Sequence, residues 1–215
     1  MATSRRRLLQ TVSATSIVGL AGCSFITEDN TEPDQETIDN GPTYTVPDSL
    51  PLRRPAVSDG QENNVLKVYH SIRSSESNNF IRRDGFELFE TPPNRRFSNV
   101  RIEFYDYPQT TDGRSIHSIA RHIQYKKDIS EYLDFLILGA VADNRPDTEW
   151  AIRTAREENG IREGELREII TENVYQRAVQ DDYNSIDSTN PPYVVLNGHS
   201  VDPFDEDLFS RLEEL

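Results

Sequence analysis

Cysteine is nearly absent from this sequence: among 215 residues there is one, Cys23. Thiol chemistry needs an accessible thiolate, and disulfide exchange needs a sulfur–sulfur bond that breaks and reforms, so everything after residue 23 is without the means for either. Positive charge is also scarce. Lysine and arginine number 23 against 37 acidic residues, a formal charge of −14, and the arginines do not gather into the basic patch that phosphate backbones require. Nucleic acid is therefore excluded as a partner. No apolar run approaches the roughly 20 residues of a bilayer-crossing helix. The four histidines, His70, His117, His122 and His199, include no i, i+4 pair enclosing an acid, so neither a metal nor a cofactor is expected.

What is present begins with an address. Ser4-Arg5-Arg6-Arg7-Leu8-Leu9-Gln10 resembles a twin-arginine export signal, with Arg5 and Arg6 as its pair, and a short, mildly apolar run follows from Thr11 to Leu20. Leu20-Ala21-Gly22-Cys23 then resembles a lipobox. Together they predict a signal peptide over 1–22 and lipidation of Cys23, which anchors the mature chain to the outer face of the cytoplasmic membrane. A diacylglyceryl-type lipid supplies the two chains that stable anchoring takes. Cleavage removes three arginines and no acids, leaving 20 basic against 37 acidic residues. Only Lys67, Lys126 and Lys127 are lysine. This acidic, arginine-over-lysine balance fits a secreted halophilic protein of haloarchaeal type, in which charge keeps the chain soluble under strong screening; an ordinary acidic protein is the alternative.

Residues 23–63 are dense in Asp, Glu, Pro, Thr and Asn without an apolar period, and read as a disordered tether, although LPLRRPAV has the composition to dock on the domain surface. Residues 64–215 read as one domain. Val65–Tyr69 is a buried strand, Asn78–Phe89 a short helix weakened by Gly85, and Val100–Tyr105 an alternating strand. Helices follow: one through Ile116, Ile119 and Ile123 behind a Ser115 cap, one over Tyr132–Val141, one from Trp150 to a stop at Gly160, and one striped by Leu166, Ile169, Ile170, Val174 and Ala178. The pattern returns to strands at Tyr193–Leu196, turns at Asn197-Gly198, pairs through Ser200-Val201, and ends in a helix capped by Asp205 and carrying Leu208, Phe209, Leu212 and Leu215. The order β-α-β, helical block over about 113–180, β-β-α predicts an α/β fold with a central mixed sheet, the thioredoxin layout.

Three segments carry a closer resemblance. Pro191-Pro192-Tyr193-Val194-Val195-Leu196-Asn197-Gly198 resembles the cis-proline segment of the DsbA-like thioredoxin-fold family, Tyr105-Asp106-Tyr107-Pro108 with Ser115 to Ala120 resembles the entry to its inserted helices, and Val68 to Phe80 resembles the strand and helix that carry its C-x-x-C dithiol. The resemblance implies that Pro192 is the cis-proline, that Pro191 precedes it in a peptide-holding groove, and that Ser74 and Ser77 occupy the two thiol positions. It therefore implies a redox-inactive protein whose remaining capacity is to bind a protein or extended peptide. Pro191 has no N–H to offer such a peptide; a rigid turn is the equal alternative there.

Two other classes stay open. An enzyme using Ser74 needs a base held by a third group, with His70, His117, His122 and His199 as candidates, but the G-x-S-x-G elbow is missing; Ser74 and Ser77 as simple helix caps are the plainer reading. The last class is a structural subunit of a surface complex, with an idle cleft.

Overall fold

The computed structural model describes residues 54–58, 62–85, 88, 97, 99–186 and 190–215. Arg5, Arg6, Cys23, Phe86 and Phe89 lie outside the described residues. Five strands form one mixed sheet in the order β1-β3-β2-β4-β5, with β1 at Ala56–Val57, β2 at Asn64–His70, β3 at Val100–Asp106, β4 at Tyr193–Leu196 and β5 at His199–Val201. β2 and β3 are parallel; β1 against β3, β4 against β2 and β5 against β4 are antiparallel. Within the stretch read as tether, Ala56–Val57 thus supply an edge strand that the sequence pattern did not reveal, being too short to show an alternation.

Register explains what each face carries. Leu66 lies opposite Ile102 and Leu196, and Val68 opposite Phe104 and Val194; alternate residues share a face, so these six form an apolar row, all buried. The same face ends in His70 and Asp106, register partners with no exposure at all. On the opposite face Tyr69 stacks on Tyr105 with ring centroids 4.4 Å apart, and the Arg54 guanidinium lies 3.8 Å over the Tyr105 ring.

Helix α1, Ser75–Phe80, continues as a π-helical turn over Ile81–Gly85. It starts three residues before the expected Asn78, because Ser74 accepts from the Ser77 N–H and caps a polar first turn. The inserted block is α2 (Thr111–Lys126), α3 (Ile129–Val141), α4 (Thr148–Asn159), α5 (Glu163–Thr171) and α6 (Gln176–Asn184). The cap of α2 is Thr110, whose Oγ1 accepts from the Gly113 N–H at 3.1 Å; Ser115, expected in that role, lies a turn inside the helix. Asp128 and Asp147 cap α3 and α4, and α4 stops at Gly160, left-handed at φ 65°. The stripe from Leu166 to Ala178 is two helices rather than one: Asn173 turns left-handed at φ 54°, which Asn tolerates, and the break brings Tyr175 and Val179 into the core. Asn197 and Gly198 both have positive φ and close the β4–β5 hairpin. The last helix, α7, spans Leu208–Glu213; Asp205 accepts from the Asp207 N–H and from Arg211 rather than capping α7 directly.

One close approach sets the loop that leads to the cleft. A Cβ on Gly139 of α3 would sit 2.3 Å from Ile72 Cδ1, so the absent side chain is what lets the turn after β2 lie against α3. No helix among the described residues is long and apolar enough to cross a membrane.

Candidate functional site

The cleft is built where β2 gives way to α1. After His70 the chain turns, with the Ser74 N–H donating to Ser71 O at 2.9 Å. Ser77 is fully buried, its Oγ accepting from the Ser71 N–H at 3.2 Å. Ser74 is 5% exposed. Its Oγ accepts from the Ser77 N–H at 3.2 Å and faces two acceptors, the Pro191 carbonyl at 3.1 Å and Glu76 Oε2 at 3.2 Å. A hydroxyl has one proton, so it donates to one of them at a time. The Pro191–Pro192 peptide bond is cis. Ser74 and the cis-proline segment, 117 residues apart in sequence, are thus in direct contact, while Ser77 lies beneath and caps the turn.

Beside this contact opens a polar cavity of about 280 Å³, lined by Arg73, Ser74, Ser75, Glu76, Gln109, Arg145, Asn190 and Pro191. Arg73 is engaged on the protein, donating to Asp112 at 2.7 Å and to the Pro146 carbonyl at 2.9 Å. Arg145 is exposed and donates through Nε to the Arg73 carbonyl at 3.1 Å. The Glu76 carboxyl is held below the usual range by its own backbone N–H and by the Ser75 and Ser74 hydroxyls.

The histidines do not join the serines. His199 is exposed on β5, and His122 is hydrogen-bonded to Glu165 and Tyr175. Ser74 has no histidine among its hydrogen-bond partners. Instead the structure gathers His70, Asp106 and His117 behind the cleft, a cluster that sequence reasoning missed. His117 Nδ1 lies 2.7 Å from Asp106 Oδ1, and Arg121 Nε donates to Asp106 Oδ2. Arg121 also bridges to Asp182, which holds Arg54 at 2.8 Å and accepts from the Asp106 N–H at 3.1 Å. The legible signal was His117 and Arg121, one helical turn apart on α2 and hence on one face; that β2 and β3 end on His70 and Asp106 on the same sheet face needed the register.

Charge explains the cluster's protonation. Burial alone would raise Asp106, but the Arg121 guanidinium and then His117 hold it well below the carboxylate range. Asp182 is pushed up, by burial and then by the Asp106 charge. Burial, and next the proximity of His117, push His70 down to about 3, so it is neutral, with Nε2 3.1 Å from the Tyr132 hydroxyl. Donor atoms of His70, Asp106 and His117 lie within 4.8 Å of one another, and His70 Nδ1 and His117 Nε2 are buried without partners. As a metal site the fit is poor. The Asp106 carboxylate already has a guanidinium for its cation, and two arginines balance the two carboxylates, so an added divalent ion would stand as uncompensated buried charge.

No protein-family model and no curated relative matches the sequence. Solved structures do. BdbD from Bacillus subtilis in its oxidised form superposes with a TM-score of 0.61 at 12% identity, covering 75% of this chain and 94% of that one. DsbA from Mycobacterium tuberculosis in its reduced form gives 0.59 at 15%, covering 75% and 91%. The thiol-disulfide exchange protein alpha-DsbA2 from Wolbachia pipientis gives 0.61 at 13%, covering 75% and 86%. With the mixed sheet, the inserted helices and the cis-proline facing a helix start, the chain has the thioredoxin fold in its DsbA-like form.

Proposed function

We propose that this domain is a thiol-free, DsbA-like binding protein, exported by a twin-arginine signal and tethered through a lipid on Cys23, that holds an extended polypeptide at the outer face of the cytoplasmic membrane. The observation that carries the reading is the Ser74 hydroxyl at 3.1 Å from the Pro191 carbonyl across the cis bond. The cleft keeps its two sides together with oxygen where redox chemistry would need sulfur. Serine oxygen forms no exchangeable bridge, which leaves recognition.

Recognition here is one-sided. Pro191 offers no N–H, so a bound strand cannot close the reciprocal pair of hydrogen bonds of a β-bridge. Its carbonyl becomes available when the Ser74 proton turns to Glu76, whose carboxylate is the second acceptor. A ligand N–H then takes the place of the serine proton. The experiment is photo-crosslinking from a benzoylphenylalanine placed at Gln109, on the wall of the cavity, in the lipid-anchored full chain at native salt. Cross-linked polypeptides that disappear when the probe is moved to Glu158, exposed on α4, support the reading; an identical pattern from both positions, or none, counts against it.

A further inference from the structure

The cavity beside Ser74 carries a charge pattern out of keeping with the rest of the molecule. The chain as a whole is strongly acidic, yet two arginines stand in this wall and a single acid, Glu76, shares the lining with them. Arg73 is spent on Asp112 and the Pro146 carbonyl. Arg145 is not: its one protein hydrogen bond is made through Nε, to the Arg73 carbonyl, and it forms no ion pair among the described residues. That bond fixes the base of the guanidinium against the cavity wall and leaves the two terminal nitrogens with donor capacity in a partly enclosed space. A fork held in this way is suited to take a carboxylate end-on, through its two terminal nitrogens.

Glu76 sets the repulsion that an occupant meets. Its carboxylate lies within reach of Ser74 Oγ and, at 2.9 Å, accepts from Ser75 Oγ, so one internal anion engages hydroxyls of the lining. A volume of about 280 Å³ is at the small end for organic ligands, which take roughly 300 Å³ or more. It suits one acidic side chain with its flanking backbone.

We infer that the cavity is an acid-selective subsite, in which Arg145 takes the carboxylate of an Asp or Glu side chain on an extended polypeptide whose backbone N–H reaches the Pro191 carbonyl. This rests on the peptide-holding reading above and adds to it the class of peptide. Selectivity lives in Arg145, and the Glu76 charge opposes it.

The test is fluorescence anisotropy on the full chain in detergent at native salt, with three labelled peptides identical except for Asp, Asn or Lys at one central position. The wild type is expected to bind the Asp peptide about tenfold more tightly than the Asn peptide, the scale of one hydrogen bond to a charged group. In Arg145→Gln that preference collapses while the Asn peptide binds as before, and in Arg145→Glu it passes to the Lys peptide. Glu76→Gln strengthens the Asp peptide. Equal binding of all three peptides by the wild type, or a preference that survives Arg145→Gln, overturns the subsite and leaves the peptide-holding reading in place. Binding of none overturns both.

Discussion

The buried His70 makes the fold sensitive to mild acid in a way that can be measured. In the folded chain His70 is fully buried against Tyr132, Phe104, His117, Asp106 and Arg121, and is pushed down from 6.5 to about 3. The folded-state value lies below the unfolded one, so its contribution is complete above the unfolded value of 6.5 and is lost as the pH falls toward 3. Each pKa unit is worth about 1.4 kcal/mol, so lowering the pH from about 7.5 to about 4.5 removes about 3 kcal/mol through His70 alone. His122, also lowered by burial, adds in the same direction, Asp106 adds below the ordinary carboxylate value, and Asp182, which is raised, opposes. The difference between the wild type and His70→Gln isolates the one group. Urea unfolding followed by the sole tryptophan, Trp150, which packs 5.3 Å from Phe135, reads stability at each pH. The wild type should lose about 3 kcal/mol more than His70→Gln between about pH 7.5 and about pH 4.5. Parallel losses in the two proteins would refute the argument, since His70 would then hold its proton equally in the folded and unfolded chains.

Other outcomes follow from single contacts. Ser74→Ala removes the cap of α1 and should cost about 1 kcal/mol in the same urea assay, while leaving the slope with denaturant unchanged. Gly139→Val drives a side chain into Ile72, whose Cδ1 and Cγ1 lie 2.3 and 2.5 Å from the new Cβ; overpacking of this kind costs about 1–3 kcal/mol, and Gly139→Val with Ile72→Ala should recover part of it. Wild-type protein should stay unlabelled by a fluorophosphonate probe, since Ser74 hydrogen-bonds to a main-chain amide, a carbonyl and a carboxylate but to no histidine; labelling lost in Ser74→Ala would reverse that. Ser74→Cys with Ser77→Cys should close a disulfide, seen as loss of both free thiols after oxidation, and Glu76→Gln should speed its reaction by removing the carboxylate beside residue 74.

The central strands β2 and β3 were legible because alternation survives on a sheet with one wholly apolar row: Leu66, Val68, Ile102 and Phe104 announce their elements by composition alone. Gly160 and Asn197-Gly198 were legible for a different reason, since each demands positive φ and few residues supply it. The start of α1 was harder, because its first turn, Ser75-Glu76-Ser77, has no apolar residue and is specified by a cap. Asn173 hid the division between α5 and α6 inside an unbroken apolar stripe. In the site, Ser74, Ser77, Pro191 and Pro192 were singled out by the resemblance of two local segments to the DsbA-like family. The His70–Asp106–His117 cluster was not, because it depends on two strands ending in register and on a helix face packing across both, which are long-range facts.

A hydroxyl at residue 74 suits the charge of this cleft. A thiolate at residue 74 would carry charge and would be disfavoured by the Glu76 carboxylate, whereas a neutral hydroxyl is compatible with it and uses it as an acceptor. Glu76, two residues on, lies within hydrogen-bond reach of Ser74 Oγ and accepts from Ser75 Oγ, an arrangement that suits a neutral hydroxyl at residue 74. The same acid places the protein's own negative charge in the cavity lining, so an incoming carboxylate must gain more from Arg145 than it loses to repulsion by Glu76. Selectivity for a particular acidic segment would then arise from the balance between one guanidinium and one carboxylate, a mechanism that needs no cofactor and no electron transfer.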